Sequence, residues 1–160
     1  MRHILVTGSS GMIGTRLCEA LQNRGYGITG FDRRPNNWNK EIQRVTVMGD
    51  LLDRESLGRV SVNIDCIVHL AANAGVYHTV ENPELARENM ITTHHVLEFA
   101  RQRLIKNVLF ASSREVYGSG SHLPCREDDV RLTQCESPYA ASKVAGGAMV
   151  NGRASRLERA

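Results

Sequence analysis

The chain has 160 residues, length for one domain with a real core, and its 41% apolar and 23% charged residues are ordinary for a globular protein. A formal charge of +3 scattered along the chain and only 5% aromatic residues argue against a nucleic-acid surface, which needs clustered cations and stacking rings. The Ile4-Leu5-Val6 run is too short for a signal peptide and no stretch reaches the length of a membrane span, so a cytoplasmic protein without membrane contact is expected.

His3 to Thr7 is a short apolar run that ends in a glycine-rich turn, the pattern of a buried parallel strand. From Met12 to Arg24, Ile13, Leu17, Ala20 and Leu21 follow helical spacing, and Gly25 stops the helix. Gly27 to Phe31 reads as a second strand, Asp32 to Lys40 as a polar turn, and Val45 to Met48 as a third strand. A short helix follows over Arg54 to Val60, then a nearly continuous apolar strand from Ile64 to Leu70. Pro83 opens a long helix that runs to Arg103, and Val108 to Ala111 is a fifth strand. Gly118 to Glu136 lacks periodicity and reads as a long loop, which in a compact domain is more often functional than idle. Ser137-Pro138 opens a last helix through Val150, where Asn151-Gly152 breaks it and leaves 151–160 as a tail. Arg153, Arg156 and Arg159 in that tail read as a solvated face. Alternation of this kind predicts an α/β domain, a doubly wound parallel sheet with helices on both faces over 1–150.

Cys18, Cys66, Cys125 and Cys135 form no CxxC pair and no Cys/His cluster with metal spacing, so no metal site is expected. Cys18 and Cys66 fall in apolar segments and read as small core residues, with reduced thiols.

The first chemical motif is Thr7-Gly8-Ser9-Ser10-Gly11-Met12-Ile13-Gly14, after a strand and opening a helix. Glycine permits a tight turn and close approach of a pyrophosphate, and the helix N-terminus offers N–H groups and a positive dipole end. Alone, such a triplet is also an ordinary turn; the strand-turn-helix setting raises it. The second is Tyr139-Ala140-Ala141-Ser142-Lys143, a YxxxK whose spacing puts both side chains on one helix face. An ammonium beside the phenol favours the phenolate, which equips Tyr139 to accept a proton.

The TGxxGxxG turn, Asp32 at the end of the second strand, Gly49-Asp50-Leu51, His69-Leu70-Ala71-Ala72, Asn89, Ser112-Ser113-Arg114-Glu115-Val116-Tyr117-Gly118 and the YxxxK together resemble the extended short-chain dehydrogenase/reductases. Within that family the pattern is similar to the NAD-dependent sugar-nucleotide epimerases and dehydratases. The resemblance implies a Rossmann-type fold with NAD held by Gly8, Ser10, Gly11, Met12, Ile13 and Gly14. It places Asp32 on the adenosine ribose, where a carboxylate repels a 2′-phosphate and favours NAD over NADP, a preference that Arg33 and Arg34 could blunt. It puts Asp50 and Leu51 near the adenine, and Leu70, Ala71, Ala72 and Asn89 along the cofactor, with His69 a satisfied buried histidine. Ser113, Tyr139, Lys143 and Glu115 are the implied catalytic set. In that set Tyr139 moves a proton, Ser113 holds the reacting sugar oxygen, Lys143 tunes Tyr139 and contacts the nicotinamide ribose, and Glu115 serves as base or substrate contact.

The implied activity is a nucleotide-sugar epimerase that removes hydride from a sugar carbon, usually C4, and returns it to the opposite face. A decarboxylase, dehydratase or reductase of the same family, or a non-catalytic NAD-binding module, are the alternatives. Arg114 stands where dehydratases place Asp, which argues against that outcome. Gly147 stands where the family usually has Glu. Family members are longer, adding further strands and a smaller C-terminal domain that holds the nucleotide-sugar. The resemblance therefore implies a C-terminally truncated member, with the strand ending at Ala111 an exposed apolar edge or covered by a partner chain. A homodimer through the long helix and the YxxxK helix is the family-based expectation.

Overall fold

The computed structural model describes residues 2–119 and 124–157, with side chains through 153. Part of the predicted Gly118–Glu136 loop, the Arg156 side chain and Arg159 lie outside the described residues. The chain forms two compact units: residues up to Ala72 with His95–Ala111, and Asn73–His94 with the residues from Ser112 onward.

The first unit is a five-stranded parallel sheet in the order β3-β2-β1-β4-β5. Its strands are β1 His3–Thr7, β2 Gly27–Asp32, β3 Thr46–Met48, β4 Cys66–His69 and β5 Asn107–Phe110. β1 is central and buried on both faces, which is why its sequence is an unbroken apolar run rather than an alternation. Ile4 and Val6 face one way, with Ile28, Cys18 and Ile42. Leu5 faces the other, with Phe31, Ile67, Val96, Phe99 and Ala100. Helix α1, Met12–Gln22, covers the first face through Leu17, Cys18 and Leu21. The turns of helix α4 (Glu84–Gln102) from His95 onward cover the second. This is the doubly wound Rossmann-type arrangement.

Two elements differ from the sequence reading of this unit. The polar stretch after Asp32 ends in a short helix, α2 (Lys40–Arg44), capped by the Asn39 side chain and anchored by buried Ile42. The segment read as Arg54–Val60 helix is a 3-10 turn at Ser56–Arg59. Among the described residues β5 is the last strand of the sheet, and Leu109 on it is 55% exposed.

The second unit holds helix α3 (Val76–Glu81), the first turns of α4, a 3-10 turn at Arg114–Tyr117, and helix α5 (Pro138–Leu157). α5 packs on α3 and on the Arg114–Tyr117 turn. It does not break at Asn151-Gly152 as the dipeptide suggests; it continues to Leu157, because one glycine inside a long helix costs only about 1 kcal/mol. The buried residues here are unusually polar: Thr79, Asn89, Thr93, Ser142 and Lys143 lie beside Ala86, Val116, Tyr139 and Ala140. Buried polar groups of this density are retained at functional sites more often than in plain cores.

Candidate functional site

In the first unit the glycine turn stands at the carboxyl end of β1. The strand order reverses here, since β2 lies on one side of β1 and β4 on the other. Open α/β sheets bind ligands at such a switch point. Gly8 has φ +74, and a Cβ there would stand 2.7 Å from the Ala71 backbone N. Only glycine lets the turn lie against the Leu70-Ala71 segment that leaves β4. Gly14 has an equally local reason, because a side chain on it would collide with the Gly8 carbonyl. Gly11 caps α1 without any side-chain hydrogen bond, and the first turn carries no acidic residue. The N–H groups of Met12, Ile13 and Gly14 thus lack a capping side chain, a setting suited to an anion. Met12 and Ile13 are about 70% exposed and flank this end of the helix. Ser10 is 7% exposed, and its Oγ is buried without a hydrogen-bond partner among the described residues.

Asp32 ends β2 beside this turn. Its Oδ2 accepts from Ser10 N at 2.9 Å and its Oδ1 from Arg34 N at 2.9 Å. The carboxylate is therefore fixed by main-chain donors. Asp50 and Leu51 follow β3; Asp50 Oδ1 accepts from Leu52 N at 2.9 Å, and the Leu51 carbonyl accepts from His95 Nδ1 at 2.7 Å. His69 is 2% exposed and bonds Thr7 Oγ1 through Nδ1 at 2.7 Å, with its ring beside Phe110. That makes it a lock between β1 and β4. The glycine-turn residues, Asp32, Asp50, Leu51, Leu70, Ala71 and Ala72 all fall in this unit, on segments that leave the carboxyl ends of its strands.

In the second unit Tyr139 and Lys143 stand one turn apart on α5, at 7% and 4% exposure, with Lys143 Nζ 5.8 Å from the Tyr139 ring centroid. Burial strips the Lys143 ammonium of water and pushes its pKa down from 10.5 to about 8. Ser113 caps the Arg114–Tyr117 turn, its Oγ accepting from Glu115 N at 3.2 Å. Glu115 pairs with Arg114 at 3.1 Å. Asn89 is 5% exposed and ties three segments: its Oδ1 accepts from Asn73 N at 2.7 Å, and its Nδ2 donates to Asn73 O at 3.2 Å and Ser142 Oγ at 3.3 Å. Ser142 Oγ in turn donates to Tyr139 O at 2.7 Å. The helix thus holds an ammonium and a phenol, both titratable, side by side and out of water.

Sequence reasoning missed two residues in these networks. Asn73 holds Leu85 O and the Glu88 carboxylate through Nδ2, and Asn36 holds the glycine turn itself. Asn36 read as part of a turn, and Asn73 carried no motif; their partners are too distant in sequence to signal them.

The match to the NAD dependent epimerase/dehydratase family model spans residues 4–156. UDP-glucuronate 4-epimerase 1 of Arabidopsis thaliana is 34% identical over 158 residues, covering 89% of this chain and 37% of that protein. The crystal structure of UDP-glucose 4-epimerase from Bifidobacterium longum in complex with NAD+ and UDP matches with a TM-score of 0.88 at 27% identity, over 96% of this chain and 49% of that one. An NAD-dependent NDP-hexosamine 5,6-dehydratase involved in tunicamycin biosynthesis matches at 0.81 and 30% identity, over 98% of this chain and 50% of the other. The chain spans about half the length of these solved structures and just over a third of the plant protein. A glycine turn at the switch point, a buried Tyr-Lys pair one helical turn apart and a family match over 4–156 converge: the chain belongs to the NAD dependent epimerase/dehydratase family.

Proposed function

We propose that the chain is the cofactor-binding portion of an NAD-dependent nucleotide-sugar epimerase acting at C4. The observation that carries the catalytic part is the buried Tyr139–Lys143 pair on α5, in the same unit as Ser113. The residues of the first unit fit NAD. The uncapped start of α1 and the orphaned Ser10 Oγ suit a pyrophosphate, and Asp32 suits a ribose diol. The Leu70-Ala71 backbone lies against Gly8 as a floor for the cofactor, with Ala72 next in the chain, and Asp50 and Leu51 are assigned to the adenine side.

Bound NAD supplies the acceptor and donor of a hydride. Tyr139 takes the proton of the sugar hydroxyl and later returns it. Lys143, with its pKa at about 8, is charged at neutral pH and stabilises the phenolate that forms. Ser113 holds the reacting oxygen, and Glu115 contacts the substrate. Asn89 acts through the Asn73 backbone and Ser142 to hold α5 in place. The reading carries with it a nucleotide-sugar substrate, a cytoplasmic location and a homodimer. No helix among the described residues is long and apolar enough to cross a membrane.

A 5,6-dehydratase among the structural relatives keeps dehydration as the second reading. One experiment separates the two. The chain is incubated with NAD+ and UDP-glucose or UDP-glucuronate in D2O, and the sugar is followed by NMR. An epimerase inverts C4 and keeps its hydrogen, because the hydride leaves and returns. A dehydratase releases water and takes up solvent deuterium. Inversion that survives Tyr139→Phe refutes the proposed role of Tyr139, whose loss should slow turnover by roughly 10²–10⁴.

A further inference from the structure

Asn36 lies in the segment between β2 and α2, is 5% exposed, and uses every hydrogen-bonding position of its amide. Nδ2 donates to Ser9 O at 3.1 Å and to Thr15 Oγ1 at 2.9 Å. Oδ1 accepts from Trp38 N at 2.9 Å and Asn39 N at 3.0 Å. Its own backbone N donates to the Gln43 side chain. Only one orientation of the amide satisfies these partners, two N–H groups on the oxygen side and a carbonyl with a hydroxyl on the nitrogen side.

Ser9 belongs to the glycine turn, Thr15 to α1, and Trp38 and Asn39 to the loop that follows Asp32. One side chain therefore fastens that loop to the turn. At the loop's start, Asp32 is clamped the same way, with Ser10 N from the turn on Oδ2 and Arg34 N from the loop on Oδ1. Arg33 and Arg34 are exposed on the segment between the two clamps. A carboxylate there repels a 2′-phosphate and a guanidinium attracts one, so discrimination depends on where the loop holds each.

We infer that Asn36 is a positioning residue that sets the preference for NAD+ over NADP+, by fixing the loop that carries Arg33 and Arg34 against the turn that braces Asp32. With Asn36 removed, the loop is released from Ser9 O and Thr15 Oγ1, and the segment that carries the arginines gains the freedom to move towards a 2′-phosphate while Asp32 stays braced by Ser10 N. This inference rests on the NAD reading above.

The test is the ratio of NADP+ to NAD+ dissociation constants, measured calorimetrically on the purified chain. Asn36→Ala should lower that ratio by roughly tenfold, the scale set by losing buried hydrogen bonds. Asn36→Asp keeps the size but puts a carboxylate against Ser9 O, and should lower it as well. Thr15→Val removes one partner of Asn36 without altering the loop sequence, and should move the ratio the same way by less; it serves if the Asn36 variants do not fold. Val96→Ala is the structural control. It opens a cavity in the core on the opposite face of the sheet, and should lower thermal stability while leaving the ratio unchanged. Wild-type discrimination in Asn36→Ala, Asn36→Asp and Thr15→Val would overturn the inference while leaving NAD+ binding intact. A wild-type chain that binds neither nucleotide would instead overturn the NAD reading, and this inference with it.

Discussion

The burial of Lys143 should cost the fold stability. At neutral pH its ammonium is charged in both the folded and the unfolded chain, but folding removes its water. A fall in pKa from 10.5 to about 8 corresponds to ~3 kcal/mol, at about 1.36 kcal/mol per decade. The folded pKa is the lower one, so the unfolded chain binds this proton more tightly. Below pH 8 both states are protonated and the folded state bears the full penalty. Between pH 8 and 10.5 the folded state sheds the proton first and stability rises with pH; above 10.5 the penalty is gone. Lys143→Met keeps the long apolar stem and removes the charge. The variant should be more stable than wild type at pH 7 by up to ~3 kcal/mol, roughly 5–10 °C in Tm for a chain of this size. That advantage should shrink steadily as pH is raised from 8 towards 10.5. Urea melts of both proteins across that range supply the comparison, and subtracting the two cancels the titrating groups remote from Lys143. Equal stability at pH 7, or an advantage that does not change with pH, would refute the desolvation argument. On the proposed function, the same substitution should also abolish turnover, the pattern of a residue kept for chemistry against stability.

Three further outcomes follow from the geometry. Gly8→Ala places a Cβ against Ala71 at a positive φ, and should destabilise the chain by about 2 kcal/mol or more and remove cofactor binding, read by chemical denaturation and calorimetry. Gly147→Ala meets nothing within 4 Å, so it should stabilise α5 by roughly 0.5–1 kcal/mol, seen as a raised urea midpoint. Burial pushes the Cys18 thiol up to about 12, so a thiol reagent should leave Cys18 unlabelled in the folded chain and modify exposed Cys125, with mass spectrometry of the digested protein as the readout.

The parts of the fold that could be read from the sequence are those in which each residue is forced locally. β1 is a continuous apolar run because both of its faces are covered, and its predicted limits, His3 to Thr7, are those of the structure. Gly8 and Gly14 are glycines because any side chain would meet the backbone of the turn or of the segment after β4. Tyr139 and Lys143 are legible because helical spacing alone puts them on one face. Short elements were not legible: α2 has five residues and α3 six, too few for a period to show. Asn39 as a cap with Ile42 buried behind it makes sense of α2 only once the sheet is known. The polar networks are the larger gap. Asn36 reaches Ser9 across 27 residues and Asn89 reaches Ser142 across 53, and an asparagine in a turn or on a helix carries no mark of such a partner. Burial of Lys143 was equally invisible, since spacing places it on a face without saying what covers that face.

The most direct test of the account is a calorimetric titration of the purified chain with NAD+ and, separately, NADP+. Saturable binding of one NAD+ per chain, tighter than NADP+ and lost in Gly8→Ala, is the predicted result. A chain that is folded by circular dichroism and binds neither nucleotide would contradict it.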